Sequence, residues 1–251
     1  MKPVPVIIFL LSILCFSQQL FAQKEDDNLQ VDQRNNILKI NLSALLFKNI
    51  SVQYERRLAD KLSFAVNVRH MPFGKNIVNK VVEQIAGTES VDAKLFRVGC
   101  TGFTPEFRFY TGERGAFNGF YLGLFYSYNN YKTDLPVKYN SPVKTGIFSG
   151  NLKTHTFGLQ LGAQWKMGKN GYLDWWAIGP NYGSENGDFV FAGALSASEQ
   201  QGLSTALDDL KNNMSFKVVK SYAVNNAGAT MKTSGPWGGL RAMGFTIGFT
   251  F

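Results

Sequence analysis

Apolar and polar residues alternate one by one along eight segments of this chain, as they do in β-strands with one apolar face. In the last segment, Phe245, Ile247 and Phe249 alternate with small or polar residues. The eight segments are residues 38–44, 50–55, 62–69, 102–109, 122–128, 157–165, 173–179 and 242–251. Alternation over about ten residues is typical of strands between lipid and a polar interior. The pattern predicts an all-β fold, an eight-stranded antiparallel transmembrane β-barrel.

The connections between these segments alternate in length, as they do in outer-membrane barrels. The short links, predicted to be periplasmic turns, are residues 59–60, 112–119 and 166–171. The opposite links, predicted to be outer loops, are a tight one at 48–49 and long ones at 75–99, 132–150 and 184–235. An even number of strands places both chain ends on the periplasmic side.

Two of the long loops are predicted to contain short helices. Residues 76–86 have apolar residues at four-residue spacing, and residues 198–212 have leucines on one stripe, with Ser198 as the expected N-cap. A hairpin is predicted around residues 225–228. It either extends above the membrane, which its lysines favour, or adds two strands to the barrel.

The N-terminal residues have the features of a signal peptide. Lys2 is positively charged, residues 4–16 are apolar, and Ala22 is a small residue at the expected cleavage point. We therefore divide the chain into a signal peptide (1–22), a polar periplasmic tail (23–35) and a single barrel domain (36–251). The predicted location is the outer membrane of a Gram-negative bacterium.

The formal charge of +8 is spread along the chain without a basic run. This distribution disfavours nucleic acid as a partner. For an exported protein, the expected acidic neighbours are outer-membrane lipid, lipopolysaccharide and other surface polysaccharide.

Six charged residues fall on the polar faces of the predicted strands. They are Glu55, Arg57, Arg69, Glu106, Arg108 and Asp174. The interior of an eight-stranded barrel is just wide enough to be filled by side chains, and buried charges require partners. We expect a structural ion-pair cluster that plugs the lumen, with a proton relay or ligand site as the alternative.

The only histidines are His70 and His155, both near the outer ends of their strands. A Ser-His-acid site would need one of them beside a serine and an acid, and the spacing singles out no nucleophile. We predict no enzymatic activity, no cofactor and no metal site. Membrane-interface girdles are the expected place for Trp175, Trp176, Tyr121, Tyr126 and Tyr128.

The last strand ends at the C-terminal residue. Its apolar set is Met243, Phe245, Ile247, Phe249 and Phe251. An alternating set that ends in phenylalanine resembles the C-terminal signal of outer-membrane proteins. It implies the barrel assembly machinery as a partner.

Several stretches resemble a family of uncharacterised outer-membrane β-barrels from Bacteroidetes that carry a domain of unknown function. They are residues 36–47, 53–56, 105–108, 119–123, 173–175 and, most specifically, Ser234-Gly235-Pro236-Trp237-Gly238-Gly239-Leu240-Arg241. The resemblance implies a barrel similar in shape to OmpA and OmpX, and it implies no activity.

The leading hypothesis is a non-enzymatic integral outer-membrane protein whose outer loops contact polysaccharide, lipid or a surface protein. One alternative is a barrel enzyme that modifies outer-membrane lipid. Another is a soluble periplasmic barrel of the lipocalin type, whose apolar strand faces would point inward to a ligand.

Overall fold

The computed structural model describes residues 34–75, 92, 94–139, 143–213 and 218–251. The predicted signal peptide (1–22), most of the predicted tail (23–33) and the predicted helix at 76–86 lie outside the described residues. No helix in these described ranges is long and apolar enough to cross a membrane.

The described residues form a closed ring of eight antiparallel strands, with one more strand outside it. The strands are β1 (Asn36–Asn41), β2 (Ile50–Ala59), β3 (Leu62–Gly74), β4 (Arg97–Tyr110), β5 (Gly119–Tyr139), β6 (Lys144–Met167), β7 (Gly171–Ala192), β8 (Val219–Asn225) and β9 (Gly228–Thr250). The helices are α1 (Leu42–Leu45) and α2 (Ala197–Asn213). Neighbours pair from β1 to β7, and β9 pairs with both β7 and β1. The predicted all-β class and eight-strand antiparallel ring are confirmed.

Polar side chains fill the ring, and apolar side chains cover its outside. On β6, Leu159 is 53% exposed and the next residue, Gln160, is fully buried. The same alternation places Gln53 inside and Val52 outside on β2. A lipocalin-type barrel needs the opposite orientation, with apolar faces inward. The lipocalin hypothesis is therefore wrong for this ring.

The junction that closes the ring is short. β1 and β9 share five residue pairs, from Ile37 with Thr250 to Asn41 with Thr246. The predicted continuation of the first strand to Ala44 is wrong, because the Asn41 side chain accepts a hydrogen bond from the Ala44 N–H at 2.9 Å and caps α1. Asparagine favours this N-cap position over a place inside a strand.

Four ring strands continue past the ring as an extension. β5, β6, β7 and β9 are 21 to 24 residues long, and the link between β5 and β6 is residues 140–143. The prediction of long loops at 132–150 and 184–235 is therefore wrong over much of their length. Here the apolar residues change face, because Phe148 and Phe189 are buried inside the extension. A search for strands whose apolar residues point outward, as in the ring, therefore does not detect these extended parts.

Helix α2 packs on the inner face of the extension. Their shared core consists of Val137, Tyr139, Phe148, Phe189, Leu195, Leu203, Ala206, Leu207, Val219, Ala229 and Met231. The helix lies within one residue of the predicted 198–212. Its capping box joins Ser196 and Glu199, so the predicted cap at Ser198 is wrong. Hydrogen bonds from Lys144 and Ser196 lower the pKa of Glu199 to about 2.

The predicted hairpin is present between β8 and β9, with its turn at 225–228. Its second arm is the beginning of β9 itself. β8 pairs with β9 alone, so the hairpin belongs to the extension and the ring keeps eight strands.

We expect Leu207→Ala to destabilise the extension by about 2–5 kcal/mol, because Leu207 is fully buried and its truncation leaves a cavity. Gln201→Ala on the exposed face of α2 is the matched control. Hydrogen exchange of the α2 amides measures the difference. Equal protection in both variants would show that α2 does not depend on this core.

Candidate functional site

A cluster of charged side chains lies inside the ring and is called here the charge cluster. It consists of Lys39, Glu55, Glu106, Arg108, Asp174 and Arg241, three cations and three carboxylates. Every side chain except Arg241 is fully buried. Equal numbers of opposite charges satisfy the requirement that buried ions be paired.

Asp174 lies where two of the cations meet. Its Oδ2 accepts hydrogen bonds from Lys39 Nζ at 2.6 Å and Arg108 Nη1 at 2.7 Å. Its Oδ1 accepts a hydrogen bond from the Tyr121 hydroxyl at 2.9 Å. Glu55 is the second carboxylate of these cations, in an ion pair with Lys39 and with its Oε2 3.3 Å from Arg108 Nη1. Both cations thus bridge two carboxylates.

Glu106 connects this group to Arg241. Arg108 Nε donates to Glu106 Oε1 at 3.0 Å, and Arg241 Nη1 lies 3.6 Å from Glu106 Oε2. The Arg241 guanidinium also lies 4.6 Å from the Phe125 ring centroid and 4.4 Å from that of Trp176. Two aromatic faces and one carboxylate therefore hold this cation.

Neutral groups complete the network, so that every ring strand contributes to it. Tyr110 donates to Glu55 Oε1 at 2.7 Å, Ser63 donates to the same oxygen, and Arg108 donates to Gln53 Oε1 at 3.2 Å. Taken in strand order, contributors are Lys39, Glu55, Ser63, Arg108, Tyr121, Gln164, Asp174 and, on β9, Arg241. The cluster therefore links all eight strands of the ring.

The structure brings together four of the six predicted lumen residues: Glu55, Glu106, Arg108 and Asp174. Arg57 lies toward the end of the ring that carries Asn36 and Phe251, called here the terminal end, with its guanidinium over the Phe117 ring. Arg69 lies toward the extension and donates to Asn129 Oδ1 and the Tyr131 hydroxyl. Neither joins the cluster, because their strands place them at other levels of the ring.

Sequence reasoning missed two members of the cluster. Lys39 stands on the polar face of the first predicted strand, so its alternation was sufficient to find it. Arg241 precedes the last predicted segment among glycines, where alternation is weak. Only the pairing of Arg241 with Gly179 on β7 establishes its level in the ring.

The interior on either side of the charge cluster is also filled by side chains. At the terminal end, Phe117 of the β4–β5 turn packs with Ile37, Tyr110, Ala116, Tyr121, Tyr172 and Trp176. Phe117 has a φ of 76°, an unusual value for this residue type, and is almost fully buried. Toward the extension, Asn67 donates to Ser51, and Thr104 bonds Ser127. Tyr121 and Trp176 belong to this interior, so their predicted place in a girdle is wrong.

The two histidines lie on the outer surface of the ring. His155 Nδ1 is 2.6 Å from the Tyr126 hydroxyl, and the His155 ring lies 5.0 Å from that of Tyr128. Ser184 is the register partner of His155 on β7. His70 Nδ1 is 3.3 Å from Thr101 Oγ1. In the described part of the chain, the hydrogen bonds seen for these histidines join them to no carboxylate, and no group of three possible metal ligands is close enough to hold an ion.

Four of the five predicted C-terminal signal residues lie on the outer face of β9 and at its end. Phe245, Ile247, Phe249 and Phe251 are all exposed. The side chain of Met243 lies outside the described part of the structure. The exposed set forms part of the apolar surface of the ring, beside the junction with β1.

A comparison with models of protein families matches residues 6–183, more than half of the chain, to the family described as "Protein of unknown function (DUF3575)". No curated protein and no solved structure matches the chain.

We expect Asp174→Asn to destabilise the ring by about 3–5 kcal/mol, because it leaves Lys39 and Arg108 with one carboxylate fewer in a buried site. Urea unfolding followed by tryptophan fluorescence measures the change. Asp188→Asn is the control, since Asp188 forms an exposed ion pair with Lys232. Equal unfolding free energies for the two variants would contradict a stabilising role for the cluster.

Proposed function

The chain belongs to this family of unknown function, and we propose that it is a non-enzymatic integral β-barrel protein of a Gram-negative outer membrane. In this proposal the ring spans the bilayer, and the extension contacts surface polysaccharide, lipid or another protein. Lipid, lipopolysaccharide and the barrel assembly machinery are its proposed partners.

The main observation in support of this proposal is a belt of exposed apolar residues around the outside of the closed ring. Large apolar residues are exposed on each of its eight strands, among them Leu38, Val52, Val68, Phe107, Leu124, Leu159, Ile178 and Ile247. Monomeric soluble proteins rarely expose contiguous apolar patches larger than a few hundred Å². A belt around the whole ring, with the charges buried inside, is the arrangement that a hydrocarbon solvent favours.

The height of the belt matches a membrane. On β6 the outward apolar residues run from Phe157 to Met167, which at about 3.3 Å per residue is about 33 Å along the strand. With a strand tilt of about 40°, this corresponds to about 25 Å along the barrel axis, the usual height of the lipid-facing band.

The belt ends at rings that suit a membrane interface. Tyr126, Tyr128 and His155 form a group of contacting rings on the outer surface next to Phe157. On the extension side of this group, Asn151 and Lys153 face outward on the same strand. Amphipathic rings between an apolar band and polar residues are typical of an aromatic girdle.

The filled interior supports a structural rather than a conducting role. The charge cluster and the aromatic layer around Phe117 occupy successive levels of the ring. With both termini on the periplasmic side, the extension and α2 face the cell exterior. The histidine contacts supply no Ser-His-acid set in the described residues, so we propose no lipid-modifying reaction.

The first test is integration into the membrane. We expect carbonate-resistant, heat-modifiable protein, and we expect Leu161→Lys, near the middle of the belt, to reduce its amount, because a lysine near the bilayer midplane costs about 2–4 kcal/mol. Asn151→Lys on the same outward face of β6, beyond the belt, is the control. Protein that carbonate extracts and heating does not shift, or equal insertion of both variants, would exclude the proposal.

The second test addresses the C-terminal strand. Replacing Phe249 and Phe251 with serine is expected to impair insertion several-fold, because the assembly machinery recognises the apolar end of the last strand. Phe120→Ser, which also removes an exposed phenylalanine near the same end of the ring, is the control. Quantifying the heat-modifiable protein in outer-membrane fractions measures the effect, and normal insertion of the double variant would refute the role of these residues.

A further inference from the structure

One edge of β9 has no strand partner among the described residues over a stretch of ten residues, 235–244. This edge pairs with β8 at 228–233 and with β1 at 246–250. Between them, the Ser234 N–H donates to the Val218 carbonyl, and the Phe245 N–H donates to Ser43 Oγ. From 235 to 244, the β9 edge therefore has no strand partner in the part of the chain that the structure describes. We call this stretch the lateral opening.

The local sequence explains why β1 does not continue along this edge. The Asn41 cap ends β1 and starts α1, which contacts β9 through the hydrogen bond from the Phe245 N–H to Ser43 Oγ. Pro236 has no N–H to donate and suits an edge strand. Gly238 and Gly239 are exposed, and a Cβ on Gly238 would meet its nearest atom at 3.9 Å. The wall at these two glycines is therefore thin.

Two buried donors lie behind the lateral opening. Trp176 Nε1 and Arg241 Nη1 form no hydrogen bond among the described residues, and Arg241 Nη1 forms an ion pair with Glu106 Oε2 at 3.6 Å. The Arg241 guanidinium lies against the Trp176 ring, and Trp176 as a whole is 7% exposed. Buried donors of this kind require an acceptor. Rotating either side chain would not turn these atoms into acceptors, because the nitrogen atoms of arginine and tryptophan side chains can only donate hydrogen bonds.

Two arginines lie near these donors. Within the charge cluster, Glu106 is shared between Arg108 and Arg241. Arg69 is a further partly buried cation, held by the neutral side chains of Asn129 and Tyr131. The nearest cationic groups to the opening are thus Arg241 and Arg69, while Glu185, a further buried carboxylate, lies toward the extension beside Gly235.

The approach to the opening from outside is apolar. Leu240 on β9 and Leu42, Leu45 and Leu46 on α1 and after it are exposed. In the proposed membrane orientation, they face the acyl chains of neighbouring lipids. An amphiphile with an anionic head and apolar tails thus matches both parts of the site.

We propose that the lateral opening binds an anionic phospholipid, whose phosphate reaches Arg241 and Trp176 while its acyl chains stay outside against Leu240 and α1. Arg241 and the Trp176 Nε1–H supply charge-assisted and neutral donors to the phosphate oxygens. The inference rests on the proposed function, because lipid reaches the opening only in a membrane.

The test is native mass spectrometry of the full-length protein refolded in detergent. The probes are dioleoyl-phosphatidylglycerol, dioleoyl-phosphatidylcholine and inorganic phosphate. We expect wild type to retain phosphatidylglycerol about tenfold more than phosphatidylcholine and Arg241→Gln to lose this preference. Lys232→Gln, which removes one exposed positive charge from the extension, is the matched control and is expected to behave as wild type.

A second variant separates loss of binding from loss of folding. Gly238→Trp covers the opening from outside without changing charge, since Gly238 is exposed and a Cβ there meets nothing closer than 3.9 Å. It is expected to exclude the lipid. Equal retention in wild type and Gly238→Trp, or displacement of the lipid by inorganic phosphate, would overturn the proposal. Absence of heat-modifiable wild-type protein would instead refute the proposed function itself.

Discussion

The interaction on which the rest of the structure depends is the buried network of Asp174 with Lys39 and Arg108. These residues come from the first, fourth and seventh strands of the ring, and each is stable in a buried place only when the others are present. A one-residue slip of any of these strands would turn its charged side chain outward and leave its partners alone. The network therefore determines the register around the ring, including the five-pair junction between β1 and β9.

The outward apolar belt follows from the inward charges. Neighbouring residues of a strand point to opposite faces, so a strand that places Gln160 inside must place Leu159 outside. In the extension, the apolar residues of the same strand point inward instead, and Phe148 packs in the core that includes α2. A single 24-residue strand, β6, thus has its large apolar residues on the outer face within the ring and on the inner face within the extension.

Particular residues show how far the sequence predicts the structure. Glu55, Glu106, Arg108 and Asp174 could be assigned to the interior, because regular alternation determines their face. The partners of these residues could not be assigned, since distances around the ring depend on the stagger between strands. Arg57 and Arg69 lie on the inner face of their strands, as predicted, but each lies at a different height in the ring from the charge cluster. The extension was missed because its apolar residues, such as Phe148, point inward, whereas those of the ring point outward. The end of β1 depends on the Asn41 cap, and alternation of apolar and polar residues carries no information about such a cap.

Arg241 connects ring closure with the proposed lipid site. Because α1 replaces the end of β1, the ring closes fully near the termini and incompletely beside residues 235–244. The same level holds Arg241, which shares Glu106 with Arg108 and whose Nη1 forms this ion pair but no hydrogen bond in the described structure. The interior along the axis is filled, so a ligand for this donor reaches it through the wall. A barrel of this form would interact with lipid laterally while its lumen stays closed.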